Sequence, residues 1–210
     1  MSRSMPALLL VALLVLGAAP SARTDEARAR IFATGLLAEA PTGERLIYSH
    51  RRSGVDEQDG AVILTLMAAG QERSVKVELR YDQQTRTAFV QPVAAGHPLL
   101  LTFLESVVRS MAAATGGSPY YIRNRMREAL GRTLEAEAVT VDPGGEKAEA
   151  TRFVLEPFAR DPNRARMGPF ADLQLSITLA EAVPGEFVQL AARAAGYDES
   201  MTFDSMEAPE

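Results

Sequence analysis

Arginine forms the chemically most distinctive pattern in the sequence. The protein has a net charge of −5, yet arginines are concentrated in two stretches. They are Arg109, Arg123, Arg125, Arg127 and Arg132 in the first stretch, and Arg160, Arg164 and Arg166 in the second. Guanidinium groups bind carboxylates and phosphates through paired hydrogen bonds, so this concentration predicts a site for an anion. The competing interpretation is pairing with the acidic residues of the strands and the C-terminal stretch, as is common for surface charges.

Two of these arginines share one helical face with a tyrosine. Arg123 and Arg127 are four residues apart, so on a helix they are neighbours that repel one another unless an acid or a ligand compensates. Tyr120 lies beside them and adds an amphipathic surface of the kind used in recognition. We predict that this face meets an anionic ligand or an acidic partner, the alternative being pairing with Glu78 or Glu156. The predicted ligand- or partner-binding residues are Tyr120, Arg123, Arg127, Arg164 and Arg166.

Little else in the sequence is arranged for catalysis or metal binding. There is no cysteine, and the only histidines, His50 and His97, have no acid spaced to complete a metal site, so we expect both to be solvent-facing or at the core edge. No nucleophile elbow, zinc-protease motif or phosphate-cradling glycine loop occurs. Gly116–Ser118 opens a helix and has the residue types for anion binding, but a plain interhelix turn is favoured. We therefore predict no metal and no cofactor, and favour a non-enzyme.

Two helices in the middle of the chain are predicted to position the first group of arginines. Apolar residues recur at helical spacing across Pro98–Ala113, and the proline suits the first turn. Ser118 is a good N-cap for a second helix over Pro119–Leu130. Gly131 is placed to end that helix in a left-handed conformation. Both helices should therefore be short and sharply bounded.

Most of the remaining chain alternates between apolar and polar residues with the period of strands. The predicted strands are Glu44–Arg52, Ala61–Ala68, Ser74–Tyr81, Arg86–Pro92, Thr133–Val141, Glu149–Phe158, Asp172–Leu179 and Glu186–Ala194. This pattern predicts an α+β fold, in which the two helices cover the apolar face of a single curved antiparallel sheet of about seven to eight strands. The predicted core residues are Leu100, Phe103, Leu104, Val107, Ile122, Met126, Leu173, Leu175 and Ile177.

The two ends of the chain differ from its middle. An apolar run follows Arg3 and gives way to small residues, which is typical of a secretory signal peptide, here over residues 1–21. That run is about half of the roughly 20 residues a membrane span needs, so we expect no transmembrane segment in the mature chain. One domain over residues 22–196 is predicted, beginning with a weak helix within Thr24–Ala38, followed by a disordered acidic tail over residues 197–210. This organisation predicts a periplasmic or secreted protein.

Two segments carry a resemblance to known proteins. Ser118–Arg125, with the sequence SPYYIRNR, and Asp161–Gly168, with the sequence DPNRARMG, resemble segments of an uncharacterised family of exported bacterial proteins. That resemblance implies export and no particular activity. In architecture, the order of a leading helix, antiparallel strands and covering helices is similar to periplasmic lipoprotein carriers of the half-barrel type.

The predicted function is that of an exported, non-enzymatic envelope protein. Its basis is the export signal, the lack of catalytic motifs and the predicted shape, which together favour an apolar or amphiphilic ligand such as a lipid, or an envelope protein partner, held between sheet and helices. The alternatives are a cofactor-free periplasmic hydrolase and an envelope assembly or scaffold factor. The acidic net charge of −5 argues against nucleic acid as a partner. The sequence does not determine an oligomeric state.

Overall fold

A computed structural model describes residues 29–69, 72–132 and 134–209 of the chain. Its strands are β1 (Arg45–Ser53), β2 (Gln58–Ala69), β3 (Glu72–Tyr81), β4 (Gln84–Pro92), β5 (Glu135–Val141), β6 (Ala148–Leu155), β7 (Gln174–Leu179), β8 (Phe187–Ala194) and β9 (Tyr197–Glu207). They form one sheet in the order β4-β3-β2-β1-β9-β8-β7-β6-β5, with every neighbouring pair antiparallel. The predicted α+β class with a single antiparallel sheet is confirmed, and the described strands number nine rather than seven to eight.

β9 is the strand that the sequence pattern did not predict. The disordered tail expected over residues 197–210 is wrong for Tyr197–Glu207, which pairs with β1 on one side and β8 on the other. Tyr197, Glu199 and Met201 alternate toward the core and are all buried. The buried Glu199 interrupts the alternation of apolar and polar residues that would have identified the strand. A carboxylate is stable at a buried position only when it has hydrogen-bond partners, and those of Glu199 include His50, which is distant in the sequence. β9 thus joins β1–β4 to β5–β8.

Two helices pack on the inner face of the sheet. They are α1 (Pro98–Thr115) and α2 (Pro119–Leu130). His97 caps α1, since its Nδ1 accepts a hydrogen bond from the Leu99 N–H at 3.3 Å, and Gly116 ends it with a left-handed φ of 66°. Both predicted helices are confirmed, with α1 two residues longer than expected. Gly131 ends α2 with a φ of −83° and not in the predicted left-handed region. The right-handed turn continues through it, since the Arg132 N–H bonds to the Ala129 carbonyl at 3.0 Å.

The core lies between the sheet and the helices and runs through both halves of the sheet. Eight of the nine predicted core residues are buried, and Leu104 is half-buried against the same cluster. The largest fully buried side chains are Tyr48, Phe103, Phe153, Phe158, Phe170 and Phe187. Burying each such side chain contributes roughly 1.5–3 kcal/mol to folding. Side chains of the protein itself therefore fill much of the space between sheet and helices in which a ligand was predicted.

The N-terminal part of the described chain packs against the sheet. Residues 29–31 are helical, and the rest of the predicted helix within Thr24–Ala38 consists, where described, of turns and a bridge between Thr34 and Gly96. Arg30 links this arm to the β7–β8 connection through a 3.2 Å contact with Glu186. The signal peptide predicted over residues 1–21 lies outside the described residues.

Candidate functional site

The two segments that stand out in the sequence, residues 118–125 and 161–168, lie side by side. Tyr121 Oη donates a hydrogen bond to Asp161 Oδ1 at 2.8 Å. Asn163 Nδ2 in turn donates to Tyr121 Oη at 2.9 Å. The first of these bonds joins residues that are 40 positions apart in the chain. Helix α2 and the 161–168 segment thus share one polar junction.

Asp161 is the buried centre of that junction. Its Oδ1 also accepts from the backbone N–H of Asn163 at 2.7 Å, which closes a local turn. Its Oδ2 lies 3.8 Å from Arg125 Nε, and neither atom has a hydrogen-bond partner among the described residues, so this contact is electrostatic. The Arg125 guanidinium lies 5.2 Å from the centroid of the Tyr121 ring, within cation–π distance. These contacts hold the 161–168 segment against α2.

A cavity of about 400 Å³ lies between the 161–168 segment and the turn that joins α1 to α2. It is lined by Thr115, Gly116, Gly117, Ser118, Tyr121, Ile122, Asn163, Arg166 and Met167. Ile122 and Met167 are buried and supply apolar surface, whereas Arg166 is exposed and supplies a cation. This volume falls within the range of about 300–1,000 Å³ that is usual for small-molecule sites. The cavity therefore combines apolar and cationic surface.

The start of α2 contributes to the cavity lining, and its first amides make no intrahelical hydrogen bond. The first helical residue is a proline, and the first intrahelical bond runs from the Ile122 N–H to the Ser118 carbonyl at 3.1 Å. The amides of Tyr120 and Tyr121 precede that bond and have no intrahelical acceptor. The Ser118 side chain makes no capping hydrogen bond to them. The positive end of the helix dipole and the guanidinium of Arg166 therefore act on the same space.

Arg123, one of the five residues predicted for the binding site, is held by an acid within the chain. Its Nε and Nη2 donate to Glu105 Oε1 and Oε2 at 2.5 and 2.8 Å. These hydrogen bonds hold the pKa of Glu105 below its usual value. The partner lies on α1, and not on the strands at Glu78 or Glu156 as the alternative interpretation expected. Arg123 thus ties α2 to α1.

The other four predicted residues have different surroundings. Arg127 donates within α2 at 3.1 Å, and Arg164 pairs with Asp172. Tyr120, in the first turn of α2, is 71% exposed. Only Arg166 lines the cavity. The structure therefore brings the two predicted segments together, but it places just one of the predicted side chains in the cavity wall.

A second cluster, which no sequence motif indicated, is buried between three strands. His50 Nε2 lies 2.8 Å from Glu199 Oε1, and His50 Nδ1 hydrogen-bonds with the Tyr81 hydroxyl. The Tyr197 hydroxyl donates to the second carboxylate oxygen of Glu199. His50 is 1% exposed and Glu199 is 0% exposed. Residues of β1, β3 and β9 thus meet in one buried polar network.

Helix α1 completes this network from the opposite side. Burial acts to raise the pKa of Glu199, but hydrogen bonds from His50, Ser106 and Tyr197 outweigh it and hold the pKa below its usual value. Ser106 also accepts a hydrogen bond from Arg52 Nη1 at 3.2 Å. A buried carboxylate stays ionised only with such partners. The network therefore fixes α1 to the strands where β9 enters the sheet.

The two histidines differ from the expectation that each would be solvent-facing or at the core edge. His50 is 1% exposed and His97 is 6% exposed, so both are buried. His50 shares a strand face with Leu46 and Tyr48, which is the sequence signal for its burial. Its partner Glu199 gave no such signal because β9 was not recognised. Among the described residues, no group of three or more histidine, cysteine or acidic side chains is able to hold a metal ion.

One member of the network is partly open to solvent. Tyr81 is its partly exposed member, and burial, followed by the charge of Glu199, raises the pKa of this phenol. Its hydroxyl hydrogen-bonds with His50 Nδ1, and His50 Nε2 in turn bonds to Glu199. These bonds connect β3 through β1 to β9. This arrangement suits stabilisation of the fold.

Comparison with known proteins gives distant structural likenesses. No family model matches the chain, and no curated protein matches it. The chain is similar to the lipoprotein LppX of Mycobacterium tuberculosis, with 11% identity, a TM-score of 0.40, and coverage of 89% of this chain and 97% of that chain. It is also similar to a beta-barrel-like protein of the domain of unknown function DUF1849 from Brucella abortus, with 8% identity, a TM-score of 0.19, and coverage of 80% and 98%. At these values neither likeness defines the fold, which rests on the strand order described above.

Among the described residues, no helix combines the length and the apolar composition that a crossing requires.

Proposed function

We propose that the protein binds an amphiphilic molecule with an anionic head group in the cavity at the α1–α2 turn. The lining of the cavity carries this proposal, since it places the apolar side chains of Ile122 and Met167 beside the guanidinium of Arg166. The hydrocarbon part of the ligand packs against the apolar side chains. The carboxylate or phosphate accepts hydrogen bonds from Arg166 and from the free amides at the start of α2.

The other predicted binding residues extend this site along the outside of α2. Tyr120 is exposed one residue before the cavity-lining Tyr121, and it offers a further amphipathic contact for a ligand that projects from the cavity. Arg123, Arg127 and Arg164 contribute positive potential nearby while they keep their contacts within the chain. The proposed site therefore has an apolar interior and a basic surround.

We place this binding function in the cell envelope, and we propose that it is not catalytic. Export is supported by the signal peptide predicted over residues 1–21. The hydroxyl groups in the cavity lining, on Thr115, Ser118 and Tyr121, have no histidine beside them in that lining to act as a base. Holding or carrying the ligand is therefore the role that the lining favours.

Titration calorimetry with laurate below its micelle concentration tests this site, with dodecanol as the uncharged comparison. We expect saturable laurate binding that is weakened about 10- to 100-fold in Arg166→Ala, since one charge-assisted hydrogen bond contributes roughly 1.5–3 kcal/mol. Arg160→Ala is the matched control, because this exposed arginine precedes the same segment and does not line the cavity. Equal loss in both variants, or no saturable binding by the natural protein, contradicts the proposal.

Native mass spectrometry of protein purified from its own host addresses the identity of the ligand. A co-purifying molecule that combines an acyl chain with an acidic group supports the proposed class. A stoichiometric protein in its place favours the scaffold alternative.

A further inference from the structure

The outer sides of α1 and α2 form one continuous surface, which we call the hairpin face. It consists of Leu101, Glu105 and Arg109 on α1, and of Tyr120, Arg123 and Arg127 on α2. Within each helix these residues are three or four positions apart, so they lie on one side of it. Arg123 donates to both carboxylate oxygens of Glu105, at 2.5 and 2.8 Å, and these bonds place the two sides next to each other.

Two large apolar side chains are exposed on the hairpin face. Leu101 is 49% exposed and Tyr120 is 71% exposed. The apolar stripe of α1 is buried through Leu100, Phe103 and Val107, and Leu101 lies outside it. An exposed leucine or tyrosine gains free energy when its apolar surface is removed from water. The hairpin face therefore offers apolar surface that the fold itself does not cover.

The same face carries more positive than negative charge. Its three arginines accompany a single acid, Glu105, which Arg123 binds directly. The hydrogen bond from Arg123, together with the charges of Arg123 and of Arg109 one turn further along α1, holds the pKa of Glu105 below its usual value. Glu105 therefore offsets one of the three positive charges and leaves an excess of two.

Among the described residues, no ion pair neutralises Arg109 or Arg127. Arg127 donates to the neutral side chain of Asn124 at 3.1 Å. The next acid on α2, Glu128, pairs with arginines outside the hairpin face. The hairpin face thus combines exposed apolar surface with positive charge that the chain does not balance.

We propose that the hairpin face docks on the surface of a membrane that contains anionic lipids. The phosphate groups of such lipids attract arginines, and each arginine near the surface strengthens binding about fivefold. Leucine enters the boundary between head groups and acyl chains, and tyrosine is favoured at this depth because its ring is apolar and its hydroxyl is polar. A lipid surface therefore complements the charge and the apolar side chains of the face at the same time.

Docking in this orientation brings the amphiphile site close to the lipid. Tyr120 belongs to the hairpin face, and the next residue, Tyr121, lines the cavity at the α1–α2 turn. A ligand that passes between the bilayer and the cavity would have only a short way to travel. This consequence depends on the proposed amphiphile site, whereas the docking surface does not.

Co-sedimentation with vesicles measures the docking. We expect the protein to bind vesicles that contain phosphatidylglycerol, and to bind pure phosphatidylcholine vesicles at least about tenfold more weakly. Arg109→Gln/Arg127→Gln should weaken binding to the anionic vesicles about 10- to 30-fold, because two surface arginines are lost. Arg51→Gln/Arg80→Gln is the matched control, since it removes two exposed arginines from strands β1 and β3 and should leave binding unchanged.

A tryptophan probe reports which face meets the lipid. The chain contains no tryptophan, so Leu101→Trp supplies a single emitter. With anionic vesicles we expect its emission to shift to shorter wavelength, because the ring leaves water. Val90→Trp is the control and should not shift. Val90 is 51% exposed and follows Phe89, which packs against the core, so Val90 lies on the sheet face that points away from the helices.

The proposal is overturned if anionic vesicles do not bind the protein, if both double variants lose binding equally, or if the emission of Leu101→Trp does not shift. Absence of vesicle binding would leave an acidic protein as the partner of this face. Laurate binding is measured without vesicles, so the amphiphile site and the docking surface fail separately. Should circular dichroism show that Arg109→Gln/Arg127→Gln is unfolded, the two single variants replace it.

Discussion

His97 shows how one buried side chain makes stability depend on pH. Its Nδ1 accepts from the Leu99 N–H, and its ring stacks on Phe187 with centroids 4.4 Å apart. Its Nε2 has no hydrogen-bond partner among the described residues. Burial lowers the pKa of His97 to about 3. The imidazole is therefore neutral in the folded protein at every pH well above about 3.

We predict that protonation of His97 in the unfolded state weakens the fold in mild acid. The unfolded histidine has a pKa near 6.5, so between pH 6.5 and about 3 the unfolded chain binds the proton and the folded chain does not. The free energy of unfolding therefore decreases as the pH is lowered, by about 2 kcal/mol between pH 7 and pH 5. Urea unfolding at both pH values measures this loss in the natural protein and in His97→Asn.

The asparagine variant isolates the histidine from the other titrating groups. Asparagine keeps a side-chain acceptor at the N-cap but does not titrate. Carboxylates such as Glu199, whose pKa is lowered, lose their contribution as the pH falls through that lowered pKa, and they do so in both proteins. Equal pH dependence in the two proteins would show that His97 is protonated, or exposed, in the folded state.

At the scale of single residues, the sequence predicted which residue types matter better than it predicted their partners. Arg166 was identified from its segment and lines the cavity. Arg123 was identified too, but its partner Glu105 depends on how α1 and α2 cross. The bond between His50 and Glu199 spans 149 positions, and no local spacing reports such a contact. Side-chain pairing was therefore out of reach wherever it depended on tertiary structure.

At the scale of elements, local signals were enough for both helices and for eight strands, but not for β9. Helix starts depend on signals that are adjacent in the sequence, such as the prolines at the first helical positions, Pro98 and Pro119. β9 carries a buried acid and acidic or polar outward residues, so its composition is typical of a disordered tail. The hydrogen bonds that place this segment in the sheet come from pairing with β1 and β8, which its own sequence does not reveal.

We predict that β9 tolerates a charge on its exposed side but not on its buried side. Met201 is 1% exposed and lies opposite His50, whereas Met206 in the same strand is 50% exposed. Met201→Asp buries an unpaired charge and should lower the free energy of unfolding by several kcal/mol. Met206→Asp should change it by less than about 0.5 kcal/mol. Urea unfolding followed by circular dichroism measures both, and similar small effects would mean that this segment is a tail after all.

At the scale of the whole molecule, the position of β9 decides how the sheet is organised. β1–β4 form one set of successive antiparallel neighbours and β5–β8 form another, and β9 is the strand that hydrogen-bonds to both sets. The two outermost strands, β4 and β5, consist mostly of exposed residues and contain no buried one. The sequence predicts the class of this fold, but strand order arises from non-local pairing of the last strand with the first. Alternation along a strand carries no information on that order.

Hydrogen exchange should report this organisation. Strands at the centre bond on both sides and bury their inward side chains, so their amides open only with the fold as a whole. The edge strands β4 and β5 bond to β3 and β6 alone, and they open locally at a lower cost in free energy. We predict that amides in β1, β8 and β9 exchange at least about tenfold more slowly than those in β4 and β5.

Mass spectrometry of peptides that cover each strand gives this comparison within one sample. The decisive peptide is Tyr197–Glu207, because a C-terminal segment usually exchanges rapidly and a central strand does not. Slow exchange there, together with fast exchange in Gln84–Pro92 and Glu135–Val141, is the expected result. If Tyr197–Glu207 exchanges as fast as the two edge strands, β9 does not join the halves of the sheet in solution. The buried network around Glu199 would then lack its carboxylate, and the halves would be held together by the helices alone.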